Sequence, residues 1–364
     1  MSDVEASVLA AVRNRIGHLT LNRPGGLNAL TLPMVRLLQQ HLRTWEQDPN
    51  VVAVVLRAAG EKAFCAGGDI RMLYESHMSG NGLHELFLEE EYALDEYIHN
   101  YSKPLLALID GLVLGGGMGL VQGATLRVIT ERTRMGMPEV GIGFFPDVAA
   151  SYFLPRLPGE LGIYLGVTGI QIRAADALYA GLADWCITSS QIPELDHCLN
   201  NMSWTDQPLS ALQALLATLG VNKFPGSELK AMQPAIDRHF AEPDLASIRE
   251  ALLAEPSPQF QDWAEETVDV LDSRSPLAMA VTLELLRRGR NLSLSECFAQ
   301  ELHLDYQWFD KGDLMEGVRA LIIDKDKNPA WNPPTLAELD PARVEAFFSD
   351  FKSTTCAPQR LVTV

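Results

Sequence analysis

The feature that most constrains this chain is a local pattern that occurs twice, in which an apolar strand runs into a glycine turn and then into a helix. The first copy spans residues 63–72 and the second spans residues 112–122. Glycine permits a tight turn, because it adopts backbone conformations that other residues avoid. The start of each helix also offers backbone N–H groups that no side chain covers. The pattern therefore predicts an α/β fold with a repeated structural unit.

Other segments of the first half fit this alternation of strands and helices. Residues 51–56 and 105–109 are apolar runs typical of strands that are buried on both faces. Between them, Thr31 and Pro33 indicate the start of a helix. Its apolar positions recur at helical spacing: Met34, Leu37, Leu38, Leu42 and Trp45.

The composition of the chain changes after about residue 191. Prolines there separate short amphipathic segments such as 209–219 and 277–288, and a last helix is expected over 342–351. We therefore predict two regions: residues 1–190 form an α/β core, and residues 191–364 are mostly helical.

Charge and composition exclude several classes of partner. The net charge of −18 makes a surface for nucleic acid or anionic lipid improbable. The most apolar stretch, residues 104–121, is interrupted by Asp110 and by glycines, so no membrane span is expected. The five cysteines are scattered and residues 1–10 resemble no targeting segment, which favours a reducing, cytoplasmic location.

Familiar catalytic signatures do not occur in the sequence. It contains no phosphate-binding G-x-x-x-x-G-K, no zinc-binding H-E-x-x-H and no nucleophile motif G-x-S-x-G. The glycine cluster at residues 115–119 does not satisfy the dinucleotide motif G-x-G-x-x-G. The remaining candidate for a functional site is the pair of glycine turns. Two backbone amides directed at one carbonyl oxygen would form an oxyanion hole, whereas the alternative is that these glycines only permit tight turns.

Three acidic residues stand in apolar surroundings. Glu139 and Asp147 occupy a segment rich in glycine and aromatic residues, where an ionised carboxylate is costly unless it is paired or used. Asp147 has the alternative role of a helix N-cap. Glu91 lies in a helical stripe that faces the core, although the adjacent Glu89 and Glu90 leave open a solvated acidic face.

These segments resemble the enoyl-CoA hydratase/isomerase, or crotonase, family. The resemblance is carried by residues 22–30, 62–70, 103–117, 137–157 and 316–326, and so covers most of the chain. It implies a crotonase-like spiral of β-β-α units with a helical C-terminal region. Residues 137–157 and 316–326 are similar to the members that hydrolyse a short 3-hydroxyacyl-CoA, 3-hydroxyisobutyryl-CoA, in valine catabolism.

The resemblance also implies roles for particular residues. The oxyanion-hole amides fall on Gly68 and Gly116. Hydratases of the family carry one catalytic glutamate at the position of Gly119 and a second at the position of Glu139. Asp147 stands where the hydratases commonly have glycine. One carboxylate is thus lost and another gained, which favours thioester hydrolysis over hydration of a double bond.

The expected site consists of Glu139 and Asp147 as catalytic residues, the two amides, and Glu91 as a substrate contact alongside Gly116. Glu139 either activates water as a general base or attacks the thioester directly. Asp147 orients the water, binds the 3-hydroxyl group or raises the pKa of Glu139. The expected partner is an acyl-CoA, the chain has the potential to self-associate, and no metal or other cofactor is expected. The alternatives are an enoyl-CoA hydratase/isomerase and a non-catalytic acyl-CoA-binding protein.

Overall fold

The computed structural model describes residues 6–220, 226–349 and 351. These residues contain ten strands: β1 (Val8–Arg13), β2 (Ile16–Leu21), β3 (Ala53–Ala58), β4 (Ala63–Cys65), β5 (Leu105–Ile109), β6 (Leu112–Leu114), β7 (Leu126–Thr130), β8 (Arg134–Gly136), β9 (Ile172–Arg173) and β10 (Trp185–Ile187).

The same residues form sixteen α-helices. Those before residue 191 are α1 (Leu32–Gln47), α2 (Ile70–Ser79), α3 (Leu83–His99), α4 (Gly116–Gln122), α5 (Ala150–Phe153), α6 (Leu161–Thr168) and α7 (Ala174–Ala180). Those after it are α8 (Ile192–Asn201), α9 (Pro208–Leu219), α10 (Glu228–His239), α11 (Leu245–Leu253), α12 (Pro258–Ser273), α13 (Pro276–Gly289), α14 (Leu294–Lys311), α15 (Leu314–Val318) and α16 (Pro341–Phe348).

The larger sheet has the strand order β1-β2-β3-β5-β7-β10. β1 and β2 form an antiparallel hairpin, and the remaining neighbours pair in parallel. The predicted strand over 105–109 is confirmed, and the one predicted over 51–56 is found at 53–58. All five residues of β5 are buried, as expected for a strand covered on both faces.

The smaller sheet has the order β4-β6-β8-β9. Three consecutive strand pairs, β3/β4, β5/β6 and β7/β8, each give their first strand to the larger sheet and their second to the smaller one. The predicted repeat is confirmed, since β4 leads through a glycine turn to α2 and β6 leads through another to α4. This alternation is the spiral of β-β-α units that the family resemblance implied.

The helical predictions also agree with the structure. Helix α1 begins after Thr31, as its Pro33 signal indicated, and α9 and α13 cover the two amphipathic segments predicted in the second half. The last helix, α16, ends at Phe348 rather than at residue 351. Among the described residues beyond 191 there is no strand, so the C-terminal region is helical as predicted.

The chain packs into two compact units that alternate along the sequence. The described residues of unit 1 are 6–68, 93–135, 172–220 and 226–227, and those of unit 2 are 69–92, 136–171, 228–349 and 351. This division differs from the predicted boundary at residues 190/191. Within unit 2, the second half of the chain packs on the segment that contains α5 and α6: an ideal Cβ at Gly289 of α13 would lie only 1.9 Å from the Ser151 carbonyl oxygen.

The remaining features concern cysteines and membranes. Cys65, Cys186, Cys198 and Cys297 form no disulfide bond, and Cys356 lies outside the described residues. In the described ranges, none of the helices has the length and apolar character needed to cross a membrane.

A substitution at Gly117 tests how tightly the two glycine turns are packed. Its ideal Cβ would lie 2.6 Å from the carbonyl oxygen of Cys65, a backbone atom that cannot move without displacing β4. We expect Gly117→Ala to lower the free energy of unfolding by about 1–3 kcal/mol through overpacking. Gly25→Ala is the matched control, because no atom lies within 4 Å of its ideal Cβ. Urea denaturation of both variants measures the difference, and equal stability would contradict the close packing.

Candidate active site

Each glycine turn contains a glycine that the backbone requires. Gly67 has a φ of +97° and Gly115 a φ of +49°, conformations that residues with a side chain rarely adopt. In each turn the next residue, Gly68 or Gly116, carries one of the amides expected to form the oxyanion hole. In each turn the expected amide therefore directly follows a glycine with a positive φ angle.

The two turns are adjacent within unit 1. Parallel pairing of β4 with β6 aligns Ala63 with Leu112 and brings the following turns side by side. An ideal Cβ on Gly67 would lie 3.3 Å from the carbonyl oxygen of Leu114 and 3.5 Å from the nitrogen of Gly116. Only a glycine allows the backbones to approach this closely without displacement.

Both amides are available to a ligand. The carbonyl oxygen of Gly67 accepts a hydrogen bond from the Leu30 amide at 2.8 Å, which anchors the first turn. The N–H groups of Gly68 and Gly116, by contrast, donate to no acceptor in the part of the chain that the structure describes. Gly116 is buried, and a buried N–H without a partner is costly unless a ligand or water satisfies it. Adjacent free amides of this kind suit the binding of one carbonyl oxygen.

Glu139 and Asp147 lie in unit 2 and are both buried, with exposed fractions of 7% and 6%. Glu139 begins a 3₁₀ turn over Glu139–Ile142. Its Oε2 atom has no hydrogen-bond partner within the described ranges. The N-cap alternative for Asp147 is wrong, because α5 begins at Ala150 and is preceded by Ala149 as its N-cap.

The environment raises the pKa of both carboxyl groups. Burial raises the pKa of Glu139 well above its ordinary value, and the charge of Asp147 raises it further. Burial raises the pKa of Asp147 to about 7, although the hydrogen bond from the Tyr92 hydroxyl lowers this pKa. The value of about 7 places the ionisation of Asp147 near the pH at which general acids and bases work best.

Glu91 is buried, with 2% of its surface exposed. Its stripe on α3 faces the core, since Phe87, Leu94 and Ile98 are buried with it. The alternative of a solvated acidic face is therefore wrong for Glu91. Its charge contributes to the raised pKa of Asp305, which places it in the electrostatic surroundings of that group.

Three residues of unit 2 were missed by the sequence analysis. The hydroxyl of Tyr92 donates to Asp147 Oδ2 at 2.9 Å. Glu301 and Asp305 belong to α14 and are 0% and 1% exposed. A signal for them was present: both stand in the apolar helical stripe of Cys297, Leu304 and Trp308. The same criterion had singled out Glu91.

Glu301 holds the loop that follows Asp147. Val148 and Ala149 both have positive φ angles, +51° and +68°, which cost free energy in residues with a Cβ. The Glu301 carboxyl group accepts hydrogen bonds from the amides of Ala149 (2.8 Å) and Ser151 (2.9 Å) and from the Ser151 hydroxyl (2.5 Å). Burial nevertheless raises the pKa of Glu301 to about 8. These bonds offset the strain and fix the backbone next to Asp147.

The predicted residues thus fall into two groups. Gly68 and Gly116 lie together in unit 1, and the carboxyl groups of Glu91, Glu139 and Asp147 lie in unit 2. In the ranges that the structure describes, no three His, Cys, Asp or Glu side chains are placed to hold a metal ion.

The chain is similar to named proteins over nearly its whole length. It is 38% identical to the mitochondrial 3-hydroxyisobutyryl-CoA hydrolase of Danio rerio, covering 96% of this chain and 91% of the relative. It is 35% identical to the mitochondrial enzyme of the same name from Homo sapiens, covering 97% and 91%.

Solved structures share the fold. A carnitinyl-CoA dehydratase from Mycobacterium thermoresistibile matches with a TM-score of 0.87 at 37% identity, over 98% of this chain and 100% of the other. An enoyl-CoA hydratase from Rhodobacter sphaeroides matches with a TM-score of 0.84 at 36% identity, over 94% and 97%. The family profile described as enoyl-CoA hydratase/isomerase matches residues 16–348. This chain therefore belongs to the enoyl-CoA hydratase/isomerase, or crotonase, family.

Proposed function

We propose that this chain hydrolyses the thioester of a short 3-hydroxyacyl-CoA, and that 3-hydroxyisobutyryl-CoA, an intermediate of valine catabolism, is its substrate. The observation that carries the proposal is the buried pair of Glu139 and Asp147, in which Glu139 Oε2 has no partner in the described ranges. The names of the relatives that are 35% and 38% identical support the same reaction.

The oxygen of the thioester carbonyl binds the amides of Gly68 and Gly116. Attack on the carbonyl carbon places negative charge on this oxygen, and the amides stabilise the charge as it develops. Removal of one such donor typically costs about 2.7–4 kcal/mol of transition-state stabilisation. The free N–H groups of the two adjacent turns support this role.

Glu139 supplies the carboxylate for the attack. It either removes a proton from water or attacks the carbonyl carbon itself to give a mixed anhydride that water then cleaves. In both routes the C–S bond breaks and the thiolate of CoA takes up a proton. Asp147 raises the pKa of Glu139 and so makes it a stronger base, and Glu91 contacts the substrate. No metal ion or redox cofactor enters this scheme.

Hydration of a double bond is the main alternative, because the two solved structures are titled a dehydratase and a hydratase. The resemblance places one catalytic glutamate of the hydratases at Gly119. In this chain that position lies buried within α4 and has no side chain to hold or move a proton. This difference favours hydrolysis. A non-catalytic acyl-CoA-binding protein would have no need of two buried carboxyl groups with raised pKa values.

We also propose a cytoplasmic location, self-association and an acyl-CoA as the substrate partner. Cysteines that are scattered and form no disulfide bond among the described residues support this location. Both relatives named above are described as mitochondrial proteins.

The direct test compares two reactions of the purified protein. We expect release of free CoA from 3-hydroxyisobutyryl-CoA, followed with a thiol reagent, to be faster than hydration of crotonyl-CoA, followed by loss of enoyl absorbance. 3-Hydroxypropionyl-CoA is the matched control for the acyl group, and its missing methyl should cost about 10-fold or more in kcat/KM. Faster hydration than CoA release would replace the hydrolase by a hydratase.

The two carboxyl groups are tested by isosteric amides. We expect Glu139→Gln and Asp147→Asn each to reduce kcat by about 10²–10⁴-fold, the usual contribution of a general acid or base. Binding of the acyl-CoA should remain within a few-fold, since neither change alters the volume of the side chain. Calorimetric titration with a non-hydrolysable thioether analogue measures the binding. Turnover that survives both substitutions would assign the attack to another residue.

The pH profile of CoA release reports the ionisation of the pair. We expect activity to fall as the pH decreases below about 7, the pKa of Asp147. Asp147→Asn removes the charge that raises the pKa of Glu139, so the acid limb of its residual activity moves to lower pH. Tyr92→Phe removes a hydrogen bond that lowers the pKa of Asp147, so its acid limb moves to higher pH.

Tyr101→Phe is the control for this profile, because its hydroxyl donates to the Leu42 carbonyl oxygen in unit 1 and not to a carboxyl group of the pair. Its acid limb should match that of the wild type. Shifts of the same sign in Asp147→Asn and Tyr92→Phe would contradict the assignment.

A further inference from the structure

The chain turns sharply within unit 2, directly after Asp147. The carbonyl oxygen of Asp147 accepts a hydrogen bond from the amide of Ala150 at 2.8 Å, so the turn has two central residues, Val148 and Ala149. Both central residues have a positive φ angle, +51° and +68°. Asp147 is the first residue of this turn, and the direction of its side chain therefore depends on the conformation of the turn.

The residues of the turn do not favour this conformation. Turns whose two central residues both have positive φ angles are usually formed by glycine, asparagine and aspartate. Val148 is β-branched, and a positive φ angle is exceptional for such a residue. Val148 and Ala149 are both fully buried, so apolar side chains suit their surroundings even though the backbone is strained. The turn must be held by contacts from another part of the chain.

Glu301 of α14 makes these contacts. Its Oε2 atom accepts a hydrogen bond from the Ala149 amide at 2.8 Å. Its Oε1 atom accepts from the Ser151 amide at 2.9 Å and from the Ser151 hydroxyl at 2.5 Å. The direction of the Ala149 N–H depends on the rotation of the backbone within the turn, so this bond favours the observed conformation over one with ordinary, negative φ angles.

Helix α14 also holds the chain ahead of Asp147. Trp308 Nε1 donates to the carbonyl oxygen of Gly143 at 2.8 Å, and the Trp308 ring packs edge-to-face on Phe145 with centroids 5.0 Å apart. Glu301 and Trp308 are seven residues apart, about two helical turns, and so lie on the same face of α14. One helix thus contacts the chain on both sides of Asp147.

We propose that Glu301 is a positioning residue of the reaction, which holds the strained turn after Asp147 and thereby keeps the Asp147 carboxyl group in the orientation that the reaction needs. The proposal rests on the function proposed above. The Tyr92 hydroxyl donates to Asp147 Oδ2 at 2.9 Å and so holds one oxygen of the side chain. Glu301 holds the backbone that carries the side chain, and it acts on the reaction through Asp147.

The first test is Glu301→Gln, which keeps the shape of the side chain but has one acceptor oxygen in place of two. At least one of the amides of Ala149 and Ser151 then loses its partner. We expect kcat for CoA release to fall by about 10- to 100-fold, because a small misplacement of a reacting group has an effect of this size. KM, and binding of the non-hydrolysable thioether analogue, should stay within a few-fold of the wild type.

Ala149→Gly distinguishes positioning from a general loss of structure. Glycine adopts a φ angle of +68° without strain, so a turn with glycine at this position needs less support. We expect the double variant Glu301→Gln/Ala149→Gly to release CoA several-fold faster than Glu301→Gln at saturating substrate. A role of Glu301 in stability alone would leave the kcat of the folded single variant at the wild-type value, with no loss for glycine to relieve.

Glu255→Gln is the matched control. Glu255 is also a buried carboxyl group of unit 2, where it accepts a hydrogen bond from the Ser257 amide at 2.7 Å and pairs with Arg238 and His239. The substitution breaks the same kind of buried contact outside the segment 143–151. We expect it to lower the free energy of unfolding, measured with urea, and to leave kcat at the wild-type value.

Two results overturn the proposal: a wild-type kcat for folded Glu301→Gln, and a loss of kcat that Ala149→Gly does not relieve. If Glu301→Gln does not fold, Ser151→Ala, which removes only the hydroxyl bond to Glu301, must lower kcat at unchanged KM, and a wild-type kcat there excludes the positioning role. A wild-type protein that releases no CoA removes the proposed function and the positioning role together, whereas an active wild type with unaffected variants removes the positioning role alone.

Discussion

The parallel pairing of β4 with β6 is the constraint on which the candidate site depends. The two short strands of the smaller sheet pair in parallel, with a register shift between Ala63 and Cys65, and the glycine turns that follow them lie side by side. The positive φ angles at Gly67 and Gly115 then leave the next amide of each turn without an acceptor among the described residues. The β-β-α repeat therefore bears on the candidate site, because the repetition of the unit places two backbone amides next to each other.

Unit 2 contains buried carboxyl groups of two different kinds. Glu301 is 0% exposed but accepts three hydrogen bonds, and its partners belong to a strained loop, so its burial serves the structure. Glu139 and Asp305 are also buried, and each has a carboxylate oxygen that no described residue satisfies. A stable fold gains nothing from such atoms. The contrast separates the groups that hold the backbone from those available to substrate, water or protons.

Local patterns in the sequence predict much of this structure. The strands over 53–58 and 105–109, helix α1 and both glycine turns follow from periodicity and from the properties of glycine, which act over a few residues. Other contacts join distant positions. Tyr92 and Asp147 are 55 residues apart, and Glu301 is about 150 residues from the amides at 149–151 that it binds. No local pattern specifies these contacts. The N-cap alternative for Asp147, which the structure contradicts, was a local expectation of this kind. The alternation of the two units along the chain likewise depends on contacts between distant segments.

The resemblance implies that this chain lacks one catalytic carboxylate of the hydratases and has another at a different position, which changes where protons can move. By the family resemblance, Gly119 in unit 1 stands where hydratases carry an acid-base group, whereas Asp147 is an additional carboxyl group in unit 2, and its charge raises the pKa of Glu139. Both carboxyl groups of the proposed mechanism then belong to one unit. Two neighbouring carboxyl groups can accept one proton during the attack and deliver one to the leaving sulfur. The hydrogen bond from Tyr92 to Asp147 Oδ2 lowers the pKa of Asp147, so Asp147 stays ionised, and able to act on Glu139, over a wider range of pH than its burial alone would allow.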